Sequence, residues 1–114
     1  MLVIPPEWRT TVARILRSGD PQRIDTKVQS DLDWGARFPE EDWDYVRFGA
    51  MATALDAPDI QGRHITTMKE PGETYAFWFF HRNVQMYGKI NLKPDGKVIV
   101  IYSSHFPRKG METL

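Results

Sequence analysis

The residues from 74 to 109, TYAFWFFHRNVQMYGKINLKPDGKVIVIYSSHFPRK, decide the fold of this 114-residue chain. They contain three runs in which β-branched and aromatic side chains dominate, residues 74–80, 84–92 and 97–103. The turn at residues 93–96 has proline at its second position and glycine where a positive φ is needed. With a further strand predicted over residues 64–69, the second half of the chain forms a contiguous antiparallel meander.

The first half of the chain favours helices. A proline pair followed by Glu7 is typical of a helix start, because proline's missing N–H is not needed there and an acidic side chain suits the positive end. Gly19 predicts the end of this helix. The acidic run that begins residues 39–55 predicts another helix. Residues 22–34 fit either a short helix that ends at Gly35 or an extended segment.

Helices first and a sheet afterwards predict an α+β fold, in which N-terminal helices pack on a C-terminal antiparallel sheet of three to four strands. The length predicts a single domain over residues 1–114, with a helical part over residues 1–58 and a sheet part over residues 59–114. A hydrophobic share of 41%, with four Trp, four Tyr and six Phe, is typical of a packed core rather than of a disordered chain.

Composition excludes several classes of function. The absence of cysteine rules out disulfides and thiolate chemistry. No apolar run approaches the roughly 20 residues of a membrane helix, so a cytoplasmic location without membrane contact is expected.

The formal net charge is zero, which argues against strong non-specific nucleic-acid binding. Residues 1–58 hold seven Lys/Arg against ten Asp/Glu, a balance of −3, and residues 59–114 hold eight against five, a balance of +3. The basic half is compatible with a small RNA footprint or an acidic partner.

One predicted strand carries an unusual set of polar side chains. Residues 84–92 alternate, which places one set of polar residues on a single face: Gln85, Tyr87, Lys89 and Asn91. The simplest interpretation is that this face meets water. However, the neighbouring strand at residues 97–103 is apolar at nearly every position, so the polar face is also a candidate for chemistry.

His105 follows the last predicted strand and is the second candidate. A histidine takes or gives a proton near neutral pH, and Arg108 and Lys109 are suited to hold a phosphate beside it. The alternative is a surface histidine on a terminal tail, which lies past the last apolar position; in both cases His105→Ala is expected to cost under about 1 kcal/mol of stability. The spacing of the three histidines predicts no metal site, and no motif predicts a cofactor.

Several features follow one another in an order known from a toxin family: Ser18-Gly19 ending a helix, a small-residue helix over residues 48–55, Asp59, Arg63, Thr66-Thr67, Tyr87-Gly88-Lys89-Ile90, and Ser103 followed by His105. In this order the chain resembles a divergent member of the RelE-type ribonuclease toxins, most of all the motility quorum-sensing regulator toxins. It departs from them in three ways: its net charge is zero, His105 stands at the end of the last strand where they have a lysine, and their glutamine has no direct match, with Gln85 as the one available substitute.

The resemblance implies a RelE- or barnase-like fold and metal-independent cleavage of single-stranded messenger RNA by 2′-OH attack. It implies catalytic roles for four residues: Arg63, Tyr87, Lys89 and His105. Substrate contacts are expected from four others: Arg82, Gln85, Arg108 and Lys109. The implied partners are RNA and a cognate antitoxin or inhibitor protein. For chemistry on one phosphodiester, Tyr87, Lys89 and His105 must project to one side of the sheet, with Arg63 close by.

A non-catalytic binding module is the competing interpretation. The acidic N-terminal half and the four tryptophans suit a protein–protein surface, as in an immunity protein, an antitoxin-like protein or a phage inhibitor. The aromatic run at residues 77–80 is predicted to be core, although one of its side chains is free to remain exposed for a base or a partner.

Overall fold

The meander predicted for the second half of the chain forms the centre of a larger sheet. The computed structural model describes residues 1–108. Its helices are α1 Pro6–Ser18, α2 Val28–Arg37 and α3 Asp44–Leu55, with one 3₁₀ turn at Pro39–Glu41. Its strands are β1 Leu2–Val3, β2 Ile24–Thr26, β3 Gln61–Ile65, β4 Glu73–His81, β5 Val84–Leu92 and β6 Ile99–His105. The fold is therefore α+β, as the sequence predicts, and none of these helices within residues 1–108 is long and apolar enough to cross a bilayer.

The expected sheet of three to four antiparallel strands is wrong in number and in direction. Strands β3 to β6 form the predicted antiparallel meander, but the described residues contain six strands in the order β1-β3-β4-β5-β6-β2. Strand β1 pairs antiparallel with β3, and β2 pairs parallel with β6. The first half of the chain thus contributes both edges of the sheet and is not purely helical.

Element boundaries differ from the prediction where two signals compete. The segment at residues 22–34 divides into β2 and the start of α2, which continues past Gly35. The acidic run after Pro39 forms the 3₁₀ turn, and α3 begins only at Asp44. Strand β3 begins and ends earlier than predicted, and β6 begins and ends two residues later.

All three helices lie on one face of the sheet. Trp8 of α1 contacts the rings of Tyr75 and Phe77 edge-on, with centroids 5.0 and 6.5 Å away. Trp34 of α2 stacks on Phe79 at 6.2 Å. Helix α3 approaches β5 closely at Gly88, where an added Cβ would lie 3.1 Å from the Cε atom of Met51. The core therefore lies between the helices and this helix-bearing face.

The opposite face of the sheet, called the open face here, bears no α-helix among residues 1–108. Alternation and strand register assign these side chains to it: Gln61, Arg63, Ile65, Thr74, Ala76, Trp78, Phe80, Gln85, Tyr87, Lys89, Asn91, Val100, Ser103 and His105. Asn91 and Thr74 are directly opposite each other and are joined by a 2.9 Å side-chain hydrogen bond. The open face is therefore ordered by the sheet itself.

A β-bulge decides which residues of β6 reach the open face. Lys89 is opposite Ser103 but Ile90 is opposite Ile101, which leaves Tyr102 as an extra residue in β6. Beyond the bulge, Ser104 points to the helices, where its hydroxyl lies 2.9 Å from that of Ser30. Ser103 and His105 consequently point to the open face.

Candidate functional site

The three side chains expected to share a face do so. Tyr87 and His105 are directly opposite each other in β5 and β6, and their rings stack with centroids 4.9 Å apart and planes 22° apart. Lys89 lies two residues along β5 on the same side, opposite Ser103. Tyr87, Lys89 and His105 are called the open-face cluster below. Two adjacent strands of a rigid sheet hold it in place.

Arg63 is a further cation on the open face, and it lies on β3, on the side of the cluster away from β6. It is opposite Ala76 in β4, and Ala76 is opposite Lys89 in β5, so Arg63 and Lys89 lie two strands apart. At the usual strand spacing their backbones are about 10 Å apart. The charge of Arg63 acts to lower the pKa of Tyr87, although burial has the larger effect and raises that pKa overall.

His105 is buried, which contradicts the expectation of a tail residue. It is the last residue of β6 and only 6% exposed. Removing its ring therefore leaves a void against Tyr87, and we expect a cost of about 1–3 kcal/mol rather than less than 1. The cause is the later end of β6, which carries the strand past the last strongly apolar position.

The protonation state of His105 follows from its surroundings. Its Nδ1–H donates a 2.8 Å hydrogen bond to the carbonyl oxygen of Phe106, since that oxygen can only accept. Burial has the largest effect on the pKa of His105 and lowers it, while the hydrogen bond to Phe106 raises it in part. The positive charges of Arg108 and Lys89 also lower this pKa, and the negative charge of Asp33 raises it. The ring is therefore neutral at pH 7 with its proton on Nδ1. Its Nε2 carries the lone pair and can accept a proton.

Burial also changes the other two members of the cluster. It lowers the pKa of Lys89 and raises the pKa of Tyr87. At neutral pH the cluster thus combines an imidazole that can accept a proton, a phenol that keeps its proton, and a lysine. This set contains a base, an acid and a cation within two strands.

Of the two substrate residues predicted near the end of the chain, Arg108 and Lys109, the structure describes only Arg108. Arg108 lies beside His105, where it lines a 340 Å³ groove between the C-terminal end of α2 and residues 106–108. Its guanidinium is 3.4 Å from the carboxylate of Asp33, so part of its charge is compensated. Lys109 lies outside the described residues.

Arg82 is not brought to the open-face cluster. With Asn83 it forms the two-residue turn between β4 and β5, at φ values of 49° and 61°. Its guanidinium pairs with the carboxylate of Glu41, which is also 3.0 Å from Nε2 of His81. The hydrogen bond from Arg82 lowers the pKa of Glu41, with a smaller contribution from His81. Arg82 therefore ties the hairpin to the 3₁₀ turn.

Gln85, in contrast, lies on the open face directly opposite Phe80. Phe80 and Trp78 belong to the aromatic run predicted as core, but only Phe77 and Phe79 face the helices. Alternation along the aromatic run therefore indicates which of its rings face the core.

Tyr102 is a residue that the sequence did not single out. The bulge places its ring near two lysines, with Nζ of Lys27 at 5.3 Å and Nζ of Lys89 at 5.8 Å from the ring centroid.

Comparison of the chain with protein-family models, curated proteins and solved structures finds no match. The resemblance to RelE-type toxins accordingly remains a prediction based on the order of the sequence motifs. The chemistry of the open face is the basis for a functional proposal.

Proposed function

We propose that this protein is an endoribonuclease that cleaves single-stranded RNA by attack of a 2′-hydroxyl, without a metal ion, and that the open-face cluster is its active site. The observation that carries the proposal is the stacked pair of Tyr87 and neutral His105 beside Lys89, on the sheet face that bears no α-helix among the described residues. A proton acceptor, a proton donor and a cation are the groups that this reaction requires.

The two proton transfers and the charge stabilisation that the reaction requires can each be assigned to a side chain of the cluster. Nε2 of His105 takes the proton of the 2′-hydroxyl, and the 2′-oxygen forms a bond to the adjacent phosphorus. The bond from phosphorus to the 5′-oxygen breaks, and the hydroxyl of Tyr87 gives its proton to that leaving oxygen. Lys89 stabilises the additional negative charge on the phosphorane, with Arg63 as a more distant cation. The products are a 2′,3′-cyclic phosphate and a 5′-hydroxyl.

This mechanism predicts the substrate and the product ends. A fluorescently labelled single-stranded RNA of mixed sequence is expected to be cleaved in excess EDTA, and its all-deoxy counterpart to remain intact because it lacks the nucleophile. Mass spectrometry of the fragments is expected to show cyclic phosphate ends. Cleavage that requires a divalent cation, or equal cleavage of the deoxy strand, would contradict the mechanism.

The pH dependence of kcat/KM is a second expected result. His105 must be unprotonated, so activity is lost as the pH falls through its pKa, which burial places below the ordinary 6.5. Lys89 must be charged, so activity is lost as the pH rises through its pKa, which burial places below the ordinary 10.5. We expect Lys89→Arg to move the alkaline limb to higher pH, because guanidinium stays protonated. An acid limb above pH 6.5 in the wild-type profile would exclude His105 as the base.

The second candidate function is a non-catalytic protein-binding module. It is favoured by a separate surface, where the exposed side chains of Trp43 and Tyr45 line a 560 Å³ cavity between α1, α3 and β2. Expression in a bacterial host separates the two candidates. The ribonuclease arrests growth when no inhibitor is co-expressed, whereas a binding module does not.

A further inference from the structure

An exposed pair of one aromatic ring and one side-chain amide lies next to the open-face cluster, toward the turn between β4 and β5. Phe80 and Gln85 are directly opposite each other, and Phe80 is 58% exposed. Strand β6 ends at His105, opposite Tyr87, so it extends no further alongside β5 toward Gln85. The pair therefore projects from the end of the sheet, one step beyond the cluster.

Phe80 is not an isolated surface residue. The next cross-strand pair on the same face is Trp78 and Tyr87, whose rings meet edge-on with centroids 5.7 Å apart. Three aromatic rings thus lead from the tip of the hairpin to His105. Single exposed apolar residues need no explanation, but a row of aromatic side chains on one sheet face beside polar groups indicates a binding site.

The charge of the open face indicates which ligand it accepts. Its strand residues in β3, β4, β5 and β6 include the cations Arg63 and Lys89 and no carboxylate. Flat aromatic rings interleaved with cations suit a single-stranded nucleic acid, whose bases stack while its phosphates are neutralised. An acidic protein segment would satisfy the cations but would leave the flat rings without a stacking partner.

We propose that Phe80 and Gln85 form a base-binding subsite for single-stranded RNA, in which one base stacks on Phe80 and the amide of Gln85 hydrogen-bonds to the edge of that base. The assignment rests on the proposed ribonuclease function, because it places this base next to the phosphate at the cluster. Gln85 and Tyr87 are two residues apart on one strand face, or about 6.8 Å. A side-chain amide offers a donor and an acceptor side by side and can therefore distinguish bases.

Binding of non-cleavable RNA tests the subsite independently of catalysis. The probes are fluorescein-labelled decamers of A, C and U with 2′-O-methyl ribose, which cannot attack, and an abasic decamer of the same backbone charge. Fluorescence anisotropy gives each dissociation constant. We expect the decamer that binds best to bind wild-type protein about 10-fold more tightly than the abasic decamer, since each stacked base contributes substantially to affinity.

Substitutions then locate the binding. Phe80→Ala is expected to reduce the difference between that decamer and the abasic one to about 2-fold or less, and Phe80→Tyr to preserve most of it. Gln85→Ala is expected to reduce the differences among the three bases. Tyr45→Ala is the matched control, since it removes an exposed ring from α3, on the other side of the sheet.

The outcomes separate the subsite from the activity. Decamer binding that depends on Phe80, in a protein that cleaves no RNA, supports the subsite and contradicts the ribonuclease proposal. Cleavage of RNA by a wild-type protein whose decamer affinities are unchanged by Phe80→Ala overturns the subsite alone. Equal affinity for abasic and base-bearing decamers, or no binding of either, also overturns the subsite.

Discussion

Replacement of His105 by glutamine is expected to lower the rate of RNA cleavage by roughly 10²–10⁴-fold, because it removes the only proton acceptor proposed for the 2′-hydroxyl. This loss corresponds to about 3–5 kcal/mol of transition-state stabilisation. Glutamine is preferred to alanine because His105 is buried, and an amide N–H can still donate to the carbonyl oxygen of Phe106. Single-turnover cleavage rates and thermal unfolding monitored by circular dichroism separate the chemical effect from a loss of fold.

His64→Gln supplies the matched control for this substitution. His64 lies in β3, where its Nε2 is 2.6 Å from a carboxylate oxygen of Glu73 and its ring stacks on Tyr75. It makes no contact with the open-face cluster, so we expect its replacement to leave cleavage within about 2-fold of wild type. Full activity in a folded His105→Gln protein would refute His105 as the base and would assign the chemistry to the remaining candidates of the site, Lys89 and Arg63.

Asp31→Ala is expected to lower the free energy of unfolding by about 3 kcal/mol, although Asp31 is itself partly exposed. Its carboxylate lies 2.8 Å from the guanidinium of Arg47, which is only 2% exposed. Removing the carboxylate leaves a buried cation whose remaining acidic partner, Asp44, is 3.5 Å away and largely in solvent. A buried charge without a close partner is strongly destabilising.

Arg47→Met serves as the comparison, because it removes the charge together with its need for a partner. A methionine can fill part of the space among the apolar neighbours, so we expect a smaller loss of stability than for Asp31→Ala. The double variant is expected to be close to Arg47→Met alone. Urea unfolding of the three variants measures these differences. A cost for Arg47→Met that exceeds the cost for Asp31→Ala would show that the guanidinium itself stabilises the fold.

The sequence predicted the central sheet because its signals are local. Alternation over residues 84–92 and the turn at residues 93–96 depend on near neighbours, and the structure has β5 at the predicted bounds. Strands β1 and β2 were missed since two or three residues show no periodicity and both pair with distant segments. The burial of Arg47 was missed for the same reason, because its partners Asp31 and Ser30 lie 16 and 17 residues away.

The candidate site was predictable only in part. Alternation alone places Tyr87 and Lys89 on one face, and the structure agrees. Strict alternation along β6 would instead put His105 with Ile99 and Ile101 on the helix side, and the bulge at Tyr102 reverses this. Arg82 was assigned to the substrate because its partner Glu41 lies 41 residues earlier in the chain, a contact that no local pattern reveals.

The bulge at Tyr102 also determines how β6 tolerates a change in length. Because Tyr102 is the extra residue, its deletion would convert β6 into a regular strand and leave Ser103 and His105 on the side that they now occupy. The insertion adds a ring between two lysines without moving its neighbours to the other face. Versions of β6 with six or seven residues would therefore present the same surface, and the open face is compatible with the loss of Tyr102.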